Sequence, residues 1–176
     1  MGERSPTGRL REEHASALAQ IREMEAAVKA TAGGGHGKWG EAAGEIGERV
    51  EKLRAGLLVH FRQEEEALYP DVREMVGKGA PRVDILGQFF EETADDDLTA
   101  HHILRNWVRE MVEMAAAVGE GWTVGDLETL VRESRDLLTR HVKKEDTLVF
   151  PMVERLLSPE QMAAAGRRMA AIRGEG

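Results

Sequence analysis

The sequence predicts an all-α fold, an antiparallel up-down-up-down four-helix bundle with a short C-terminal helix. Apolar residues recur at spacings of three and four along most of the 176 residues, which is the helical period. Runs with a period of two, typical of strands, are missing, and glycine-rich segments separate the helical stretches. We expect one domain over residues 1–176, with the bundle at about 8–157 and the terminal helix at about 159–173.

The individual elements follow from apolar stripes and from the segments that interrupt them. Three glycine-containing segments predict turns: GGGHGKWG (33–40), GKGAP (77–81) and GEGWTVGD (119–126). The stripes predict four long helices: one at roughly 8–31, one carrying Ile46 to Leu68, one at about 82–118 and one carrying Leu127 to Met152. Pro70 disturbs the second helix, because proline has no N–H to donate. Thr123 and Asp126 resemble a capping box, and Ser158 followed by Pro159 predicts the start of the terminal helix.

The charge and composition of the chain restrict the classes of partner and the cellular compartment that we expect. Lys plus Arg number 24 and Asp plus Glu number 32, so the formal net charge is −8. An acidic chain repels phosphate groups, and we therefore predict no nucleic-acid partner and no membrane partner. The sequence has no cysteine and no apolar run typical of a signal peptide. No stretch approaches the ~20 consecutive apolar residues that a membrane span needs. We expect a cytoplasmic protein without a thiolate metal site.

Two segments repeat one pattern, HFRQEEEALYP (60–70) and HVKKEDTLVFP (141–151). In each, a glutamate follows a histidine by four residues, which places both side chains on one helix face, ~6 Å apart along the axis. Both pairs interrupt apolar stripes. We therefore expect His60 with Glu64, and His141 with Glu145, to point into the core.

Two further histidines, His14 and His101, interrupt apolar stripes in the same way, whereas His102 should face water. The midpoints between successive core-facing histidines fall within the three predicted turns. In an antiparallel bundle, residues equidistant from a turn lie side by side. We therefore expect all four histidines in one cross-section of the core.

Four imidazoles and two carboxylates are costly to bury without partners, and a metal centre removes that cost. Six ligands are too many for one tetrahedral zinc ion and suit two octahedral ions bridged by carboxylates. The predicted metal ligands are His14, His60, Glu64, His101, His141 and Glu145. Nitrogen and oxygen ligands without thiolate favour two iron ions, with manganese or zinc as substitutes.

The order His, HxxxE, His, HxxxE over four helices resembles the hemerythrin-like, or HHE cation-binding, family. The matching residues are the six predicted ligands, and EEEALYP and TLVFP resemble the acidic-aromatic-proline endings of that family. The resemblance covers about residues 8–157. It implies a non-haem di-iron site, joined by two glutamates and an oxo or hydroxo bridge, that binds dioxygen, nitric oxide or peroxide.

Two positions depart from the oxygen-carrying members of this family. Arg105 stands where they have a second histidine on the third helix, and Glu145 rather than Asp146 fits the HHE pattern on the fourth. One ligand fewer implies a more open metal, which favours redox reactivity or sensing over reversible oxygen carriage. His36, in the first predicted turn, could restore the ligand count.

Three functions remain open: binding of a small ligand for sensing, delivery or scavenging; a peroxide-degrading enzyme; and an iron-sensing or iron-handling domain. We expect Tyr69 to be a core aromatic that could also hydrogen-bond a ligand at the metals. Glu65 belongs to a solvated face, although it could compete with Glu64 for the metals. The ETADDD segment (92–97) is expected at the surface.

Overall fold

The structure, a computed structural model, describes residues 5–32, 35–77 and 84–174. Over these ranges it contains seven α-helices and two π-helical segments, without a β-strand: α1 (Pro6–Ala32), α2 (Gly35–Arg62), the first π segment (Gln63–Leu68), α3 (Tyr69–Gly77), α4 (Asp84–Ala117), α5 (Val124–Lys144), the second π segment (Glu145–Val149), α6 (Phe150–Leu156) and α7 (Pro159–Arg173). The predicted all-α class is confirmed and is consistent with a helical bundle. The up-down order of four helices stays a prediction.

The π segments coincide with the two copies of the sequence repeat. The N–H of Tyr69 donates to the carbonyl of Glu64, and the N–H of Phe150 donates to the carbonyl of Glu145, five residues back in each case. In each case a proline, Pro70 or Pro151, is the second residue after the π segment. Because a proline lacks an N–H and its ring clashes with the carbonyl four residues earlier, a wider turn lets the helix continue. The disturbance expected at Pro70 is therefore a π-helical turn.

The chain divides into two compact units. The first consists of Met1–His14, Leu58–His101 and His141–Gly176, and the second of Ala15–Leu57 and His102–Arg140. In the first unit, Ala165 and Met169 of α7 are buried in an apolar core, so the predicted terminal helix belongs to this unit. A capping box begins α7 at Ser158, as predicted. The single domain expected from the length stays a prediction.

The turn predicted at residues 119–126 is confirmed in the second unit. Between α4 and α5, Gly119 and Gly121 have φ angles of 94° and 126°, which residues with a side chain rarely adopt. The N–H of Thr123 donates to Oδ2 of Asp126, and the N–H of Asp126 donates to Oγ1 of Thr123. This is the predicted capping box.

The turn predicted at residues 33–40 is too long, because α2 already begins at Gly35. Glycine has a low helix propensity, but tertiary packing outweighs propensity when an apolar side chain is buried. Trp39 is only 6% exposed in the core of the second unit. Among the described helices, none has a stretch both long and apolar enough to cross a membrane.

Candidate metal centre

The six predicted ligands all belong to the first unit, and we call them the inner cluster: His14, His60, Glu64, His101, His141 and Glu145. Two of the histidines lie in the last turns of α2 and α5, and each glutamate lies in the π segment that follows. The other two histidines lie on α1 and α4. All six residues are between 0 and 4% exposed. The burial expected from the apolar stripes is confirmed, and the role as metal ligands stays a prediction.

The inner cluster contains two groups of four potential metal-binding residues. The first group is His14, His60, Glu64 and Glu145, and the second is Glu64, His101, His141 and Glu145. Within each group, one donor atom per residue lies within 4.8 Å of all the others. Both glutamates occur in both groups, and a carboxylate has two oxygen atoms. Each glutamate can therefore serve two cations.

The histidines of the inner cluster turn their Nε2 atoms toward its carboxylates. These four nitrogens lie 2.9 to 3.4 Å from an oxygen of Glu64 or Glu145. Yet none of the four, and neither oxygen of Glu64, has a hydrogen-bond partner within the described part of the chain. Buried polar atoms without partners are rare, because they have lost water without compensation. A cation would satisfy these atoms together.

The Nδ1 atom of each histidine faces a different set of acids, which we call the outer carboxylates. They are Asp146 for His14, Glu13 for His60, Glu65 for His101 and Asp97 for His141, at Nδ1–O distances of 2.8 to 3.0 Å. Three of these contacts are hydrogen bonds, whereas Nδ1 of His141 has no hydrogen-bond partner among the described residues. An ionised carboxylate can only accept a hydrogen bond, so in these three contacts a neutral imidazole carries its hydrogen on Nδ1 and keeps a lone pair on Nε2. Carboxylates in this position orient metal-binding histidines in proteins. The buried groups could therefore hold a metal.

A family model described as the Hemerythrin HHE cation binding domain matches residues 5–153. The chain belongs to this family. The matched range of the HHE domain contains the whole inner cluster and every outer carboxylate, whereas α7 lies beyond it. A comparison with curated proteins found no match.

Aromatic side chains of the HHE domain pack against the inner cluster. Phe61 stacks on His101 with the ring centroids 4.1 Å apart. The hydroxyl of Tyr69 donates to Asp97 and lies 3.3 Å from Oε1 of Glu145. Both aromatic residues are fully buried, as expected for Tyr69. They restrict rotation of the histidine ring and exclude water from one side of the carboxylates.

Without a cation, the charges of the inner cluster conflict. Burial raises the pKa of Glu64 well above its usual range, and the charge of Glu145 raises it further. Burial acts most strongly on the pKa of Glu145 and would raise it. The positive charge of His141 and contacts with His101, His14 and Asp97 together outweigh burial, and this pKa falls well below its usual range. Burial alone would lower the pKa of His101, but contacts with Glu145 and Glu64 raise it to about 11. A metal-free HHE domain therefore holds a proton on His101 that a cation must displace.

One residue of the site, Asp97, contradicts a sequence prediction. The ETADDD segment (92–97) is not wholly at the surface: Asp95 and Asp96 are exposed, but Asp97 is fully buried. The spacing contained the signal, because Asp97 precedes His101 by four residues and so shares its face of α4.

The other outer carboxylates have different origins in the sequence. Glu13 contacts His60 from a position distant along the chain, and no local pattern marks it. Glu65 and Asp146 directly follow the inner glutamates, and their side chains are 24% and 32% exposed. Because each lies one position further round the helix than an inner glutamate, its side chain is directed toward Nδ1 of a histidine and not toward the centre of the cluster.

Two histidines lie outside the inner cluster. His102 is exposed, as predicted, and its Nε2 lies 3.3 Å from Nδ2 of Asn106. It offers a control for the adjacent His101. The prediction for His36 concerns a side chain outside the described residues.

Proposed function

We propose that the inner cluster holds two iron ions and that this centre binds a small ligand, either dioxygen, nitric oxide or peroxide. The observation that carries the proposal is the convergence of four unpartnered Nε2 atoms on two carboxylates. One ion would belong to the side of His14 and His60, and the other to the side of His101 and His141. The two glutamates would serve both.

The donor set supports iron. It offers imidazole nitrogen and carboxylate oxygen without thiolate, a combination that also accepts manganese or zinc. Each group of four supplies four donors. An octahedral ion takes six, so positions remain for a ligand. Iron bound here would supply electrons to a ligand or accept them from it.

A peroxide-degrading enzyme is the second candidate, and Tyr69 favours it. Its fully buried hydroxyl donates to Asp97 and lies 3.3 Å from Oε1 of Glu145. Burial raises the pKa of Tyr69 well above its usual range, so the phenol keeps its hydrogen. Cleavage of an O–O bond builds negative charge on oxygen, and a phenol next to the predicted ligands can stabilise that charge by donating a hydrogen bond. Simple binding of a ligand does not require that donor.

Anaerobic titration of the metal-free protein with ferrous iron is expected to end at about two ions per chain. Dioxygen, nitric oxide and hydrogen peroxide are then added separately while the absorption spectrum is recorded. A stoichiometric spectral change indicates a binding protein, and peroxide turnover far above that of free iron indicates the enzyme. An end point below two ions, or no spectral change with any ligand, would contradict the proposal.

Metal loading is expected to release protons and to weaken as the pH falls. The pKa of His101, raised to about 11, means that this residue is protonated near neutral pH before loading. Protons compete with the metal, so the apparent affinity rises with pH by about tenfold per unit for each proton released. An indicator dye in weakly buffered solution measures the release, and chelator competition at several pH values measures the affinity. Equal affinity at pH values two units apart would show that no proton is displaced.

A further inference from the structure

The C-terminal helix α7 reaches the inner cluster through a line of hydrogen bonds. Arg173 of α7 donates to Oε1 of Gln63, and Nε2 of Gln63 donates to Oε2 of Glu13 at 2.8 Å. The same oxygen of Glu13 lies 2.9 Å from Nδ1 of His60. We call these four residues the Arg173 relay. Its first member lies outside residues 5–153, the range that matches the HHE family.

Gln63 links the two ends of the relay. It is fully buried and directly precedes Glu64 in the first π segment. A buried amide has to satisfy its oxygen and its nitrogen at the same time, and this orientation does so with Arg173 on one side and Glu13 on the other. Without the guanidinium, the amide oxygen would lose this partner, and the amide would no longer be held in that orientation.

A separate contact holds α7 against the first π segment. Nη2 of Arg168 donates to the carbonyl of Ala67 at 2.7 Å and to Oδ2 of Asp71 at 2.6 Å. Ala67 belongs to the segment that carries Glu64. Neither of these two hydrogen bonds of Arg168 involves a residue of the Arg173 relay. The anchoring of α7 and the relay can therefore be tested separately.

We propose that Arg173 is a positioning residue for the metal centre, acting through Gln63 and Glu13 on the ring of His60. The inference rests on the proposed function. A cationic donor strengthens a hydrogen-bond chain, so Arg173 keeps the Gln63 amide directed at Glu13. Glu13 in turn fixes the ring orientation in which Nε2 of His60 faces the cluster.

The relay acts on one side of the inner cluster. His60 belongs to the group that contains His14, and not to the group that contains His101 and His141. Nδ1 of His101 is hydrogen-bonded to Glu65 instead, and Nδ1 of His141 lies 3.0 Å from Oδ1 of Asp97. Loss of Arg173 therefore loosens one ion and leaves the other unchanged.

The test is the rate at which iron leaves the loaded full-length protein for a strong ferrous chelator. In Arg173→Ala, one of the two ions is released ~3–10-fold faster and the other at the wild-type rate. This effect is smaller than the ~10–100-fold typical of a residue that directly contacts a metal-binding side chain. Arg173→Lys restores part of the retention. Arg167→Ala, at an exposed position of the same helix, is the matched control and leaves both rates unchanged. Equal acceleration of both ions, or of neither, would overturn the inference.

Two further variants separate positioning from simple stability. Arg168→Ala lowers the melting temperature without making the two release rates unequal; if it reproduces the Arg173→Ala pattern, α7 acts only as a structural support and the inference fails. Glu13→Gln accelerates release of the same ion, and adding Arg173→Ala to it gives no further acceleration, because the relay is already broken. Additive effects would contradict the relay.

The outcome for the wild-type protein distinguishes the two proposals. A wild-type chain that binds no iron overturns both of them. Two ions bound by the wild type and released from Arg173→Ala at wild-type rates overturn the relay alone.

Discussion

Glu64→Ala is expected to lose both metal ions, whereas His14→Ala is expected to lose about one. Glu64 belongs to both groups of four donors, and His14 belongs to only one. Removing a ligand should reduce affinity by more than the ~10–100-fold that an outer carboxylate contributes. Iron and protein are measured together after each variant is loaded and passed through a desalting column.

The neighbouring Glu66 provides the control for this comparison. It is exposed and pairs with Arg62 on the surface of the same helix, with an Nε–Oε1 distance of 2.8 Å. Glu66→Ala should retain about two ions, like the wild type. One ion retained by Glu64→Ala, or two lost by His14→Ala, would refute the shared role of Glu64. Circular dichroism of each variant shows whether the loss follows from unfolding.

Removal of the metal is expected to lower the melting temperature by roughly 10–20 °C. A ligand at 100 times its Kd stabilises the folded state by about 2.7 kcal/mol per site, so two sites contribute about 5 kcal/mol. For a chain of this length, each kcal/mol corresponds to about 2–4 °C. The metal-free cluster also leaves Glu64 and Glu145 buried side by side, which opposes folding. Thermal melts followed by circular dichroism, with and without a chelator, measure the difference.

Glu64→Gln tests the cause of this difference. The amide has the shape of the carboxylate without its charge, so the metal-free variant should melt at or above the temperature of the metal-free wild type. The metal should then give the variant little or no stabilisation. Identical melting temperatures for loaded and metal-free wild type would rule out the iron-sensing function, which needs a fold that depends on the metal.

Much of the inner cluster could be predicted from local spacing. A separation of four residues places His60 with Glu64 on one helix face, whatever the remainder of the fold. Symmetry about the turns then correctly indicated that His14 and His101 would join them. The two glutamates could be assigned because they interrupt apolar stripes, and a stripe faces the core.

The π segments were beyond this reasoning. A bond to the residue five back, rather than four, differs too little in local propensity to be read from residue types. Pro70 marked only the place of the disturbance. The same limit explains why the turn predicted at residues 33–40 is too long. Burial of Trp39 outweighs the low helix propensity of glycine there.

The amino-acid sequence alone is enough to predict an all-helical protein with six metal-ligand candidates, because the helical period makes burial and facing local properties. The outer carboxylates and the Arg173 relay depend on the packing of helices. Glu13 meets His60, and Gln63 meets Arg173, across 47 and 110 residues of chain. No periodicity connects positions so far apart, so their contacts exist only once the helices have packed.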